Sequence, residues 1–440
     1  MRLPIPLVVV VLSCLVSNTS SANELLRIYD LALQNDSALQ AAGFARDAAL
    51  EAKPQALAAL LPQINAGYAK GRTKEDSTYS NPFLKSGSTS YNTSSLSLSL
   101  NQAVFDLSAF QNLSRSDDQA ALAVAGYRSS EQGLILRIAQ AYFNVLSASD
   151  TLRSNQAEKQ AVEHQLEQSQ KRFEVGLSAI TDVQEAQARY DLTTAQVIAG
   201  QQALDSAKQS LSEITGTPVN SLTSMQDDFP LPSPDPLNVE SWSDSAQQRN
   251  YDILISSLTA EIAKKTVNIA LSKHLPTLGV QGQYSDGERG GSTGGQQTQT
   301  SLTAQISLPI FSGGATQSAV RQADYTYQQR LAELEGKKRL IQTQTRNAFT
   351  GVLSGASRVK ALKQAVLSST TALESSEMGL QVGTRTSVDV LNAQQQLYSA
   401  QRDYSKSRYD YLLNVLNLKA AAGKLTVNDL AEIDRLLLNP

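Results

Sequence analysis

Few residues of this chain are placed to do chemistry. The two histidines, His164 and His274, fall in separate halves, with no His-Glu-x-x-His pattern and no acid at ligand spacing. His164 follows Glu163 on a polar helical stretch and reads as solvated. His274 precedes Leu275-Pro276 and reads as an element boundary. The run from Gly290 to Gly295 lacks the Walker pattern, so it reads as a loop tip and not as a phosphate cradle. What remains is charge on helices. Asp389 and Asn392 are three apart and share a helix face. Such a face is ordinarily just solvated. It acquires a function if symmetry repeats it around a lumen, where a ring of acids selects cations.

The elements that would carry these residues are stated twice. Val175-Gly176, Asp182-Val183 and Ala186-Gln187 recur 207 residues later as Val382-Gly383, Asp389-Val390 and Ala393-Gln394. Leu61-Pro62 returns as Leu275-Pro276, and Phe105 as Phe311. Self-similarity of this length is an architectural signal. Each copy runs in the same order: a helix, two alternating strands, and a very long helix that turns back on itself.

The first helix reads from Asn23 to Leu61 and stops at Pro62; Pro276 marks the same junction in the second copy. The period then changes to two. Ile64, Ala66 and Tyr68 alternate with Gln63, Asn65 and Gly67, and Leu96, Leu98 and Leu100 with serines. Leu302, Ala304, Ile306 and Leu308 alternate with Ser301, Thr303, Gln305 and Ser307. This predicts strands at about 62–72, 92–105, 276–286 and 300–311, with polar loops from Arg72 to Asn92 and from Asp286 to Thr300. One face is apolar and the other carries hydroxyls and amides. That suits a soluble sandwich, and equally a barrel with lipid outside and water inside. From about Leu107 to Val175, and from about Ala315 to Val382, no proline occurs. At ~1.5 Å per residue each helix would reach ~100 Å. Apolar spacings of three and four suit helix-on-helix packing, and Gly176 and Gly383 end each helix at an αα-hairpin.

The resulting organisation is a signal peptide at 1–22, a first repeat at 23–216, a proline-rich linker at 217–245, a second repeat at 246–424 and a tail at 425–440. Arg2, the apolar run Leu7 to Val16 and Ser20-Ser21-Ala22 carry the export reading. A rival lipoprotein signal would use Cys14, but Leu12 fits it poorly. Under the export reading the mature chain has no cysteine. Net charge is −3, which argues against nucleic acid as a partner.

Four strands cannot close a barrel, and an open sheet edge cannot sit in lipid. Three chains would supply twelve strands and twelve lengths of helix, giving a water-filled barrel on a hollow helical tube. The fold class expected is therefore a mixed α/β membrane protein. It combines a trimeric, 12-stranded outer-membrane β-barrel, four strands per chain, with a periplasmic coiled-coil barrel, by internal duplication.

The chain resembles the TolC family of outer-membrane efflux and secretion ducts over nearly its full mature length. The resemblance is carried by Arg172-Phe173-Glu174-Val175-Gly176-Leu177, Ile180-Thr181-Asp182-Val183-Gln184, Gly383-Thr384-Arg385-Thr386, Val388-Asp389-Val390-Leu391 and Tyr409-Asp410-Tyr411-Leu412. It implies a homotrimer in outer-membrane lipid. This would be joined to a periplasmic adaptor and an inner-membrane transporter of ABC, RND or MFS type. It also implies that Asp389 contributes a selectivity ring; the family's second acid is Asn392 here, which weakens that ring. Arg385 would latch the gate to a first-copy site at Thr181 and Asp182, and Leu380 stands where the family places a tyrosine. A passive conduit of this kind needs no cofactor and no catalytic residue. The alternative is a periplasmic coiled-coil scaffold or adaptor without a barrel, which the inserted strand pairs argue against.

Overall fold

A computed structural model describes residues 24–80, 83, 86–219, 222, 225, 230–289 and 294–438. The signal segment, Cys14 and residues 290–293 of the glycine-rich run lie outside the described residues. The alternating segments form one antiparallel sheet in the order β1 (Gln63–Ser77), β2 (Gly87–Phe105), β3 (Thr277–Arg289), β4 (Gly295–Ser307). The register aligns the two faces. Asn65, Ser99, Gln283 and Ser301 lie in one row, as do Gln63, Asn101, Gln281 and Thr303. On the opposite face Ile64 stands against Leu100, Tyr68 against Leu96, Leu98 against Tyr284, and Leu278 against Ile306. Directly opposed residues share a face, so the apolar set is continuous across all four strands. Among the described residues no layer covers it: Ile64, Tyr68, Leu302 and Ile306 are each more than two-thirds exposed. β1 and β4 each keep one unpaired edge.

The first hairpin is longer than its apolar alternation suggests. β1 continues to Ser77 and β2 begins at Gly87, so most of the Arg72 to Asn92 stretch expected as loop is ladder. Backbone pairing does not need apolar side chains, and Lys70, Arg72 and Lys74 extend the alternation in polar form. β3 also runs on to Arg289 and β4 starts at Gly295, again shortening an expected loop, whereas β4 stops at Ser307, short of Phe311.

The helix expected over 23–61 is three: α1 (Glu24–Asn35), α2 (Ser37–Leu50) and α3 (Ala52–Ala58). Asp36 interrupts it by turning extended and capping α2, its carboxylate accepting from the Leu39 N–H at 2.8 Å. Arg137 grips the same carboxylate at 3.0 and 2.7 Å. Pro54 lacks the N–H that would reach back to Leu50, which separates α2 from α3.

The long hairpins are α4 (Leu107–Glu174) with α5 (Ile180–Thr215), and α8 (Ala315–Gln381) with α9 (Ser387–Ala421). α4 has 68 residues and α8 has 67, so each is ~100 Å long. Two further helices, α6 (Val239–Arg249) and α7 (Tyr251–Ser272), follow the prolines; α6 begins inside the stretch read as linker. α10 (Val427–Leu438) closes the chain.

The main core lies partway along the hairpins, where α1, α6 and α10 wrap them. Tyr142 and Tyr411 are fully buried there, and Phe143 stacks on Tyr409 with centroids 5.8 Å apart. Asp434 of α10 accepts from the Leu25 and Leu26 N–H groups at 3.0 and 3.2 Å, capping α1 from the far end of the sequence. Asp150 accepts from the Tyr409 hydroxyl at 2.7 Å, and Arg402 pairs with Glu158 at 2.6 Å, tying α9 to α4.

Candidate functional site

The gate, latch and turn residues singled out from the sequence gather at the ends of the two αα-hairpins, far from the sheet. Both turns are built alike. In the first, the Leu177 N–H reaches the Arg172 carbonyl at 2.7 Å and the Gly176 N–H reaches Phe173 at 2.9 Å. In the second, the Thr384 N–H reaches Gly379 at 2.8 Å and the Gly383 N–H reaches Leu380 at 3.3 Å. This paired closure needs a left-handed residue at its centre, and Gly176 and Gly383 supply φ of 75° and 81°.

Beyond the turns the copies diverge. α9 begins with a capping box: the Asp389 N–H donates to the Thr386 hydroxyl at 3.2 Å, and the Asp389 carboxylate accepts from the Thr386 N–H and hydroxyl, both at 2.9 Å. The Thr386 backbone N–H, and then its hydroxyl, hold the Asp389 carboxyl below the ordinary carboxylate range, with the Arg385 charge acting in the same direction. At the start of α5 the equivalent of Thr386 is Ala179, which offers no side-chain cap. Asp182 therefore lacks the partner that occupies Asp389.

Ser387, the first residue of α9, is buried against α4. Its hydroxyl accepts from the Gln165 amide at 2.9 Å and lies 3.2 Å from the Ser169 hydroxyl. Below it Val162, Leu166, Ala186 and Leu391 form a small apolar cluster joining α4, α5 and α9. Asn392 is exposed on the helix face but bonded: Arg189 of α5 donates to its side-chain oxygen at 3.2 Å and to the Gln395 side-chain oxygen at 2.7 Å. Arg385 lays its stem over Gly379, where a Cβ would come within 2.5 Å of the arginine Cγ. Within one chain Arg385 and Asp182 form no ion pair among the described residues, and Thr181 is exposed. The fold thus brings Asp389 together with Arg385, and Asn392 with Arg189, but does not join the two halves of the expected latch inside one subunit. Pro62 and Pro276 each stand immediately before a strand, at the helix–sheet junctions.

These features had different visibility in the sequence. Thr386-x-x-Asp389 is a readable capping pattern. The Gln165–Ser387 and Arg189–Asn392 contacts link residues more than 200 positions apart and leave no local signal.

An open, apolar-faced four-stranded sheet above two ~100 Å hairpins is a distinctive arrangement. The family described as outer membrane efflux protein matches residues 28–217 and 242–424. The chain belongs to that family. Outer membrane protein TolC of Escherichia coli is 36% identical over 437 residues, covering 96% of this chain and 87% of that protein. Alkaline protease secretion protein AprF of Pseudomonas aeruginosa is 32% identical, covering 92% and 85%. Among solved structures, VceC of Vibrio cholerae superposes with a TM-score of 0.76 at 20% identity, covering 91% of this chain and 96% of that one. This efflux protein is accordingly an outer-membrane channel subunit of TolC type, and its sheet is one chain's share of the barrel.

The tips also expose apolar side chains that no contact within the chain explains. Val175 and Leu177 at the first turn, and Val382 at the second, are each more than two-thirds exposed, with Met378 beside Val382. In an otherwise polar helical end these are candidates for an interface.

Proposed function

We propose that three copies form the exit duct of an efflux or secretion machine, gated at the hairpin tips and docked there by a periplasmic adaptor. The observation that carries this is the sheet: a continuous apolar face with two unpaired edges requires lipid outside and sister strands on both sides. The helices are several times longer than a bilayer is thick, so the tips lie deep in the aqueous compartment. Six apolar tips in a trimer, three at Gly176 and three at Gly383, offer the adaptor a ring of contacts. An inner-membrane transporter of ABC, RND or MFS type would supply the energy. Relatives named for efflux and for protease secretion both occur, so the polar lumen suits cargo of either size.

At the gate, Asp389 would form an acidic ring made less negative by Asn392, and Arg385 would pair with Asp182 across a subunit boundary. The test is planar-bilayer recording of the detergent-purified trimer. Asp389→Ala should reduce cation preference, and Asn392→Asp should strengthen block by multivalent cations from the periplasmic side. Arg385→Ser and Asp182→Ala should each raise conductance, with the double variant adding less than the sum of the singles. Additive effects would show that the two residues act separately. A monodisperse monomer with full strand content would overturn the shared barrel.

A further inference from the structure

The outward face of β1 changes character at one residue. Ile64, Ala66 and Tyr68 are apolar; the next three positions on that same face are Lys70, Arg72 and Lys74. All three are exposed, and none is in an ion pair among the described residues. Successive same-face residues are roughly 6.6 Å apart along a strand, so the cations form a ladder rising from the apolar band. The chain enters β1 from the helical end, so this ladder stands at the outer margin of the band. Opposite it on β2, in register, are Ser94, Asn92 and Ser90. These add hydroxyl and amide donors without adding negative charge.

Of the acids nearby, one turns away from the ladder and the others stand on its face at a distance. Glu75 points to the lumen face, where it accepts from the Tyr91 hydroxyl at 2.7 Å. Asp286 and Glu288 share the ladder's face but stand on β3, two strand spacings or roughly 9.6 Å from β1; Asp286 accepts from Gln296 and Thr298, each at 3.1 Å. Asp76 follows only at the top of the ladder. β4, the strand that a closing barrel would place on the other side of β1, carries Thr300, Thr298 and Gln296 above Leu302 on this face, all uncharged. Cations facing lipid are costly at mid-bilayer but not at its margin, where phosphorylated headgroups neutralise them.

We propose that Lys70, Arg72 and Lys74 bind the phosphate groups of outer-leaflet lipid headgroups, so that each subunit carries a phospho-lipid site at the rim of its apolar band. The inference rests on the sheet lying in the outer membrane, and it adds a specific ligand chemistry to a surface otherwise defined by hydrophobicity. Three donors in line suit a headgroup bearing two phosphates, with Ser94 and Asn92 supplying further hydrogen bonds.

The experiment uses the full-length trimer in nanodiscs containing either a bisphosphorylated glycolipid or its dephosphorylated form. Glycolipid retained per trimer after detergent release is counted by native mass spectrometry. The wild type should retain the phosphorylated form preferentially. The combined Lys70→Gln, Arg72→Gln, Lys74→Gln variant should lose that retention by on the order of 100-fold, about the sum of three cation–headgroup contacts. It should retain the dephosphorylated form as the wild type does. Equal wild-type retention of both lipids overturns the proposal and requires no variant to fold. So does unchanged retention in the variant. So does an equal loss when Lys171, Lys360 and Lys406 on the helices are replaced by Gln, since that would make the effect one of net charge. Unaltered bilayer conductance and SDS-resistant trimers in the triple variant separate this site from the duct itself.

Discussion

The two hairpin tips share a turn but not a way of starting the helix that follows. Both use a left-handed glycine and the same pair of backbone bonds. At the second tip, Thr386 and Asp389 cap α9 and Ser387 pins it to α4. At the first, Ala179 and Ile180 occupy the equivalent positions; α5 has no side-chain cap, and Ile180 is exposed. A duplicated element has thus been anchored in one copy and left open in the other. The acid at the third helical position is locally bonded where its cap is threonine, and available for another partner where its cap is alanine.

The largest effect should come from removing the anchor. Ser387→Val leaves the Gln165 amide buried without its partner, costing roughly 1–3 kcal/mol per subunit. Ile180→Ser, at the equivalent exposed position, should change stability by less than about 0.5 kcal/mol. Urea unfolding of the two variants compares them directly; similar midpoints would dissolve the distinction between the tips.

Next in size is the cap. Thr386→Ala should destabilise the start of α9 by about 1 kcal/mol, visible as faster amide exchange at 387–390. It also removes the hydroxyl that helps keep Asp389 ionised, while the backbone N–H of residue 386 stays in place. A carboxylate held below its usual range keeps its charge until the pH falls under the ordinary aspartate value of about 3.9. Cation preference in the wild type should therefore persist on acidification past that point and vanish at higher pH in Thr386→Ala. Identical pH profiles would mean that the Thr386 hydroxyl does not hold the charge that sets the selectivity.

A smaller effect sharpens the comparison from the other side. Ala179→Thr should create a capping box with Asp182 and stabilise α5 by a few tenths to about 1 kcal/mol. If Asp182 holds the closed gate through Arg385, drawing its carboxylate into the cap should raise conductance as well. Stabilisation with no change in conductance would separate Asp182 from the gate. The smallest change is expected for Arg189→Gln, an exposed polar bridge worth under about 0.5 kcal/mol by thermal unfolding.

Much of this architecture was legible in the chain because it rests on local periodicity. Alternation at 64–68 and 302–308 marked strands, the proline-free runs marked long helices, and Gly176 and Gly383 marked their ends. Legibility failed where one residue acts against its neighbourhood. Asp36 and Pro54 divide a stretch whose composition is helical throughout, and β1 continues through Lys70 to Ser77 because backbone pairing outlasts the apolar pattern. At the tips, the turns and the Thr386–Asp389 spacing were readable, while Ser387 looked like any other serine.

The sequence by itself determined the duplication, the order of periods, the apolar and polar faces of four strands, and the glycine turns. Each follows from interactions within a few residues or from a pattern repeated at fixed spacing. Only the tertiary structure decided which polar group meets which. Asp434 caps α1 across 409 positions, Gln165 finds Ser387, and Arg189 finds Asn392. Such pairings depend on how ~100 Å helices align along their length, and a shift of one turn, about 5.4 Å, would replace every one of them. No local signal in the chain carries that alignment; it is set by the belt of buried aromatic and aliphatic side chains partway along the hairpins.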